Sequence, residues 1–210
     1  TLSPLLAMCL YLLYLPKISN KIVLGIVLLS GAFWAGSYVQ YLPVMYNQKH
    51  QATAEAANWS RNRAWTYASE RFQSNAAGIL IPSYNQGLWK SENSILNDQQ
   101  FKLCQEAKSM AFSIREENQK LTIDEFPFET GLQLPYYLIL IDTLTPNKAY
   151  IKNIEFRPSS KKNLLLHGQW LSNSGIVNLQ QAQLAKGTYQ IYVYDPGSQR
   201  FWKTNRTFLR

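Results

Sequence analysis

The longest apolar run lies near the start of the chain. Ile22 to Val39 carries no charge, and the uncharged stretch continues to Tyr46. A bilayer core of ~30 Å is crossed by roughly 20 apolar residues in a helix. A water-exposed helix of that length would show a polar stripe every third or fourth position. No such stripe is present, so the pattern predicts a transmembrane helix over about 22–46. Thr1 to Pro16 is also uncharged and leucine-rich, though short for a span. A first transmembrane helix is favoured there over a signal-peptide core, because no basic segment precedes it and no small-residue cleavage site follows. Lys17 and Lys21 lie in the loop between the two runs and place it on the cytoplasmic side. The second helix then leads outward. Trp34, Tyr38, Tyr41 and Tyr46 crowd its far end, where amphipathic rings favour the lipid–water boundary. Gly31 with Ala35, and Ala32 with Gly36, recur at helical spacing and would let a partner helix approach closely, although small residues are common in membrane helices generally.

Residues 47–133 read as a mainly helical connector. Ala is frequent and Gly and Pro are absent from Asn47 to Ala77, and Trp65, Ala68 and Phe72 follow helical spacing. Pro43 is expected to kink or end the membrane helix before it. Breakers at Pro82 and Gly87 separate a second predicted helix, about Asp98 to Gln119, with Leu103, Ala107, Met110, Ala111 and Ile114 on one side. Cys104 lies beside that stripe and reads as a small buried hydrophobe sooner than a nucleophile.

The periodicity changes at Leu134. Pro135 to Asp142 is a continuous apolar strand. Ala149–Arg157, Asn163–Leu171 and Ile176–Leu179 are further strand candidates. Gly187 to Asp195 alternates, with Tyr189, Ile191 and Val193 on one face and Gln190, Tyr192 and Tyr194 on the other. Asp195-Pro-Gly-Ser makes a turn, and Arg200 to Leu209 returns as the last strand. Strands at this spacing predict an antiparallel sandwich or small barrel. The segment Leu184-Ala-Lys-Gly-Thr-Tyr189-Gln-Ile-Tyr-Val193 resembles the penultimate strand of immunoglobulin-like and fibronectin type III-like sandwiches. In that family a tyrosine entering the strand forms the tyrosine corner, and Tyr189 holds the matching position. The resemblance covers about a third of the chain, lacks a Cys…Trp…Cys arrangement, and implies a fold without an activity.

Composition narrows the partners. The 210 residues carry a formal net charge of +8, with a pI near 9.4 and a mean hydropathy of −0.23. Lipid can therefore surround only a minority of the chain. The cations are dispersed apart from Arg61/Arg63 and Lys161/Lys162, which suits solubility and attraction to a lipid surface better than nucleic acid. With two cysteines, two histidines and no CxxC, neither a disulfide between Cys9 and Cys104 nor a structural zinc is expected, and no cofactor is implied. There is no GxSxG, GxGxxG, HExxH or phosphate-binding glycine loop. His167, in a strand-like run, reads as a surface residue sooner than a base. Glu116, Glu117, Asp124, Glu125 and Glu129 read as a solvated helix end and loop, since their spacing fits no calcium loop. In a eukaryotic setting Asn58-Trp-Ser60 and Asn205-Arg-Thr207 would be glycosylation candidates.

The expected architecture is a membrane-anchored α+β chain. A transmembrane helix hairpin (about 1–16 and 22–46) is followed by the helical connector and an extracytoplasmic antiparallel β-sandwich over 134–210. The expected function is a non-enzymatic accessory, scaffold or assembly subunit of an envelope membrane complex. Its partners would be membrane lipid and other subunits, met through Gly31, Ala32, Ala35 and Gly36 and through an aromatic face of Trp170, Tyr192, Tyr194 and Trp202. A sensor or ligand-binding module is the alternative. A membrane-anchored hydrolase of glycan or peptide is the third reading, and it would need His167, Cys104 or the acidic residues to meet in one cleft.

Overall fold

A computed structural model describes residues 20–63, 98–117, 120–132, 135–145, 148–179 and 184–210, with a few isolated positions between 78 and 95. Residues 1–19 and 64–77, which hold the first expected membrane helix and the Trp65–Phe72 face, lie outside the described residues. The chain divides into two compact units, Thr1–Val44 and Met45–Arg210.

In the first unit the described residues belong to helix α1 (Asn20–Asn62), which continues into the second unit. Pro43 does not end it. A proline inside a helix removes one backbone donor, here the partner of the Val39 carbonyl, and the helix continues beyond that gap. Leu24, Val27, Leu28, Leu29, Phe33, Trp34 and Tyr38 are all exposed. At 100° per residue they point to every side of the helix axis. Among the described residues no helix is long and apolar enough to cross a membrane. The side chains of Ile22 and Val23, which open the apolar run, are not among those described.

In the second unit α2 (Asp98–Gln105) is followed by nine described strands. They are β1 (Lys108–Ser109), β2 (Ser113–Glu117), β3 (Lys120–Asp124), β4 (Tyr137–Asp142), β5 (Ala149–Asn153), β6 (Glu155–Pro158), β7 (Leu171–Asn178), β8 (Thr188–Asp195) and β9 (Arg200–Leu209). A short helix, α3 (Lys161–His167), links β6 to β7. One sheet has the order β1-β9-β8-β4-β5, and the other β2-β3-β7-β6. All described pairings are antiparallel except β1 with β9. The β-rich region thus forms two sheets, consistent with a β-sandwich. The second strand candidate, Ala149–Arg157, is split at Ile154, where the chain passes from the five-stranded to the four-stranded sheet.

Leu138, Leu140, Tyr189, Ile191 and Val193 meet Ile114, Leu121, Ile123, Phe156 and Val177 in one core. The opposite residues of the same strands, Tyr137, Ile139, Ile141, Tyr192 and Tyr194, form a second core with Ala54 and Ala57 of α1 and Phe101 and Cys104 of α2. β4, β5 and β8 of the five-stranded sheet are therefore covered on both faces. Every residue of β4 is buried, as its unbroken apolar run demands.

Three expectations are corrected. The helix expected over 98–119 stops at Gln105, and β1, β2 and β3 follow. Its buried side is Phe101 and Cys104, while Leu103 is exposed. From Phe112 the apolar positions that face inward recur every second residue, Phe112 with Ile114 and then Leu121 with Ile123, and pairing of β2 with β3 overrides the helical spacing. Asn163–Leu171 is mostly α3 instead of a strand, with Ser160 accepting from the Asn163 N–H at one end and Gly168 in the left-handed region (φ 63°) at the other. The Ile176–Leu179 strand begins earlier, at Leu171.

The Tyr189 hydroxyl donates to the Ala185 carbonyl at 2.7 Å, which ties the entry of β8 to the turn before it, as a tyrosine corner does. Tyr189→Phe removes that bond together with the hydroxyl's contact to Tyr150. It should lower the unfolding free energy by about 1–2 kcal/mol, read as a lower urea midpoint at unchanged slope.

Candidate functional site

β5 is an edge strand, and the second half of α1 lies along it. In the antiparallel ladder with β4, the alternate residues Ala149, Ile151 and Asn153 turn their backbone groups outward. Asn58 meets Ile151 as a neighbouring strand would. Its Nδ2 donates to the Ile151 carbonyl at 2.6 Å, and the Ile151 N–H donates to its Oδ1 at 2.6 Å. Asn62, one turn on, donates to the Ala149 carbonyl. The spacing fits: four helical residues advance about 6 Å, and two strand residues about 6.6 Å. Earlier on the helix, Asn47 donates to the Phe156 carbonyl at 3.1 Å, and Asn153 donates to the Asn47 carbonyl at 3.4 Å. His50 Nδ1 lies 3.0 Å from the Tyr137 hydroxyl, and its ring packs on Tyr46. Burial, with Lys49 adding to it, holds the His50 pKa below the usual histidine value.

Beside this seam the side chains of Lys152 and Glu55 are almost fully buried, 4.0 Å apart. Glu155 is close by and accepts from Asn178 Nδ2 at 3.4 Å. Burial pulls the Lys152 pKa down to about 8, against the pull of Glu55 and Glu155 in the other direction. These groups, with Gln51 and Asn153, line a cleft of about 10 Å³. That is room for roughly one water molecule. A lysine of lowered pKa has the makings of a nucleophile or base, but no substrate fits here. The geometry fastens α1 to the sheet.

The residues singled out from the sequence are dispersed. Gly31, Ala32, Ala35 and Gly36 are exposed on α1, and a Cβ added at Gly31 or Gly36 would meet nothing. Tyr192 and Tyr194 do not form an exposed face. They are buried beneath the helices, where Tyr194 stacks on Phe201 at 4.3 Å. Trp170 and Trp202 are half-buried against the inter-sheet core, and Trp202 packs on Phe128 at 4.1 Å. Tyr192 and Tyr194 are buried because the helices cover that side of β8.

His167 is exposed on α3. Cys104 lies in the helix-side core, where burial pushes its thiol pKa far up. Asp124 sits on β3 in a paired contact with Arg115 at 2.6 and 2.8 Å. These groups do not share a cluster, and Asp124 belongs to a hairpin instead of a helix end. Asn58 is fully buried and bonded through both amide atoms, so the folded chain does not offer it for glycosylation. Asn205 is exposed.

The seam itself was missed from the sequence. Its signal was there in Asn47, Asn58 and Asn62, poor helix formers set in a helical stretch. Comparison of the chain with protein-family models, with curated proteins and with solved structures finds no match.

Asn58→Ala strips partners from two buried backbone groups and should cost about 2–4 kcal/mol in urea unfolding. Asn205→Ala, on the surface, should stay within about 0.5 kcal/mol. For Lys152 the folded pKa lies below the unfolded value. Between pH about 8 and 10 the unfolded state binds more protons, so the stability Lys152 contributes rises with pH there. Relative to Lys152→Met, the native chain should gain up to ~1.4 kcal/mol per pH unit across that window. Parallel pH profiles for the two proteins would contradict this account.

Proposed function

We propose that this protein is a non-enzymatic accessory or assembly subunit of a membrane complex, anchored by 22–46, with its β-sandwich outside the cytoplasm. One observation carries the reading. α1 has no charged residue from Ile22 to Gln48, and its apolar side chains are exposed on every side. Water penalises such a surface by ~25 cal/mol per Å², and a bilayer or a set of partner helices removes the penalty.

The exposed Gly31, Ala32, Ala35 and Gly36 supply a shallow strip for a neighbouring helix. Lys17 and Lys21 favour a cytoplasmic start. The same helix continues past Pro43 into the half bonded to β5. An anchor built this way suits a scaffold, because the anchoring segment and the residues that bond to β5 belong to one element. The cleft at Lys152 holds no more than a water and offers nothing to the ligand-binding alternative.

Membranes carrying the full chain should retain it through an alkaline carbonate wash. Gentle detergent extraction with native mass spectrometry should then show other chains bound to it. Gly31→Leu with Gly36→Leu should lower that co-purification several-fold while the chain stays in the pellet. Release by carbonate would overturn the anchor, and a lone monomer would overturn the scaffold.

A further inference from the structure

α3 presents apolar side chains where nothing in the fold needs them. Leu165 is 84% exposed and Leu166 65%, and the helix buries none of its residues. The leucines are nevertheless held in place. Ser160 and Gly168 cap the two ends of the helix, and the Ser159 N–H donates to the Trp170 carbonyl at 2.9 Å, closing the neck of the excursion. Conformational freedom of a loose loop does not explain the exposure.

The charges near the leucines in sequence all have one sign. Arg157, Lys161 and Lys162 are exposed, and no Asp or Glu occurs from Phe156 through Tyr194. Lys161 and Lys162 occupy the first turn of α3, where the helix dipole disfavours cations. Among the described residues neither lysine has an ion-pair partner. Cations set against both the dipole and self-repulsion, beside exposed leucines, are complementary to an anionic surface with an apolar layer just beneath it.

We propose that α3 docks on an anionic lipid bilayer, with Leu165 and Leu166 entering the interface and Arg157, Lys161 and Lys162 meeting the headgroups. The contact does not require that 22–46 cross the membrane.

The test uses the full chain with Leu165→Cys in a Cys9→Ser background. Buried Cys104 is left in place, and an environment-sensitive fluorophore is attached at position 165. The chain is reconstituted with vesicles of phosphatidylcholine, alone or with a third of the lipid replaced by phosphatidylserine. The label should shift to the blue and become protected from an aqueous quencher in the phosphatidylserine vesicles, and only weakly so in the others. Each lysine near such a surface contributes about fivefold, so Lys161→Gln with Lys162→Gln should lower the docked-to-free ratio roughly 30-fold. Those substitutions relieve the dipole, so they leave α3 no less stable.

A label equally open to quencher in both vesicles overturns the proposal, as does a shift indifferent to the lysines. Protection without vesicles that grows with protein concentration would also overturn it and mark a self-association surface. Retention after carbonate is scored separately, so a failed anchor and a failed α3 contact are told apart.

Discussion

The exchange of two hydrogen bonds between Asn58 and the backbone of Ile151 is the contact that fastens α1 to the edge of the five-stranded sheet. An edge strand has one row of polar groups with no strand to receive them, and burying that row unpaired costs about 1–3 kcal/mol per group. Asn58 and Asn62 receive it with side-chain amides, because one helical turn advances almost as far as two strand residues. A helix can therefore lie where a sixth strand would otherwise be needed. Once it lies there, Ala54 and Ala57 share a buried core with Ile139, Ile151 and Tyr194.

With α1 there, β4, β5 and β8 are covered on both faces, and most of their residues are buried. Buried polar side chains in this sheet meet partners. Thr204 illustrates this, donating to the Ile191 carbonyl at 3.0 Å beside the β8–β9 irregularity. Asp142 does so at the end of β4, where its carboxylate accepts from the Leu144 N–H and the Thr145 hydroxyl. Those bonds hold its pKa below the usual carboxylate range. The four-stranded sheet, covered on one face, keeps charged residues such as Arg115 and Asp124 on the other.

Much of the β region was legible because period-two patterning survives wherever a strand has one wet face or a clear turn. The Asp195 turn, the alternation through β8 and the apolar run of β4 read directly. Tyr192 and Tyr194 read as an outer face, since alternation marks two faces of a strand without telling that both are covered. The segment 106–117 misled because its apolar residues fit a helical spacing, and only pairing with β3 selects the strand. α3 was hidden by three successive leucines, which read as a strand unless the caps at Ser160 and Gly168 are weighed first. The seam was hardest to see. Asparagine in a helix advertises a local cost, and nothing local reveals the distant backbone that repays it.

The sheet margins decide how this molecule can meet others. β5 is closed by asparagine side chains, and at the opposite margin β1 has only two residues. In the second sheet β2 sets Arg115, Glu116 and Glu117 along its exposed length, and β6 stops at Pro158, which has no N–H to give. Each margin is thereby poor as a template for a further strand. Among the described residues, β5, β2 and β6 therefore offer an incoming extended peptide little to pair with. A contact with another molecule is then made more readily by side chains than by strand pairing.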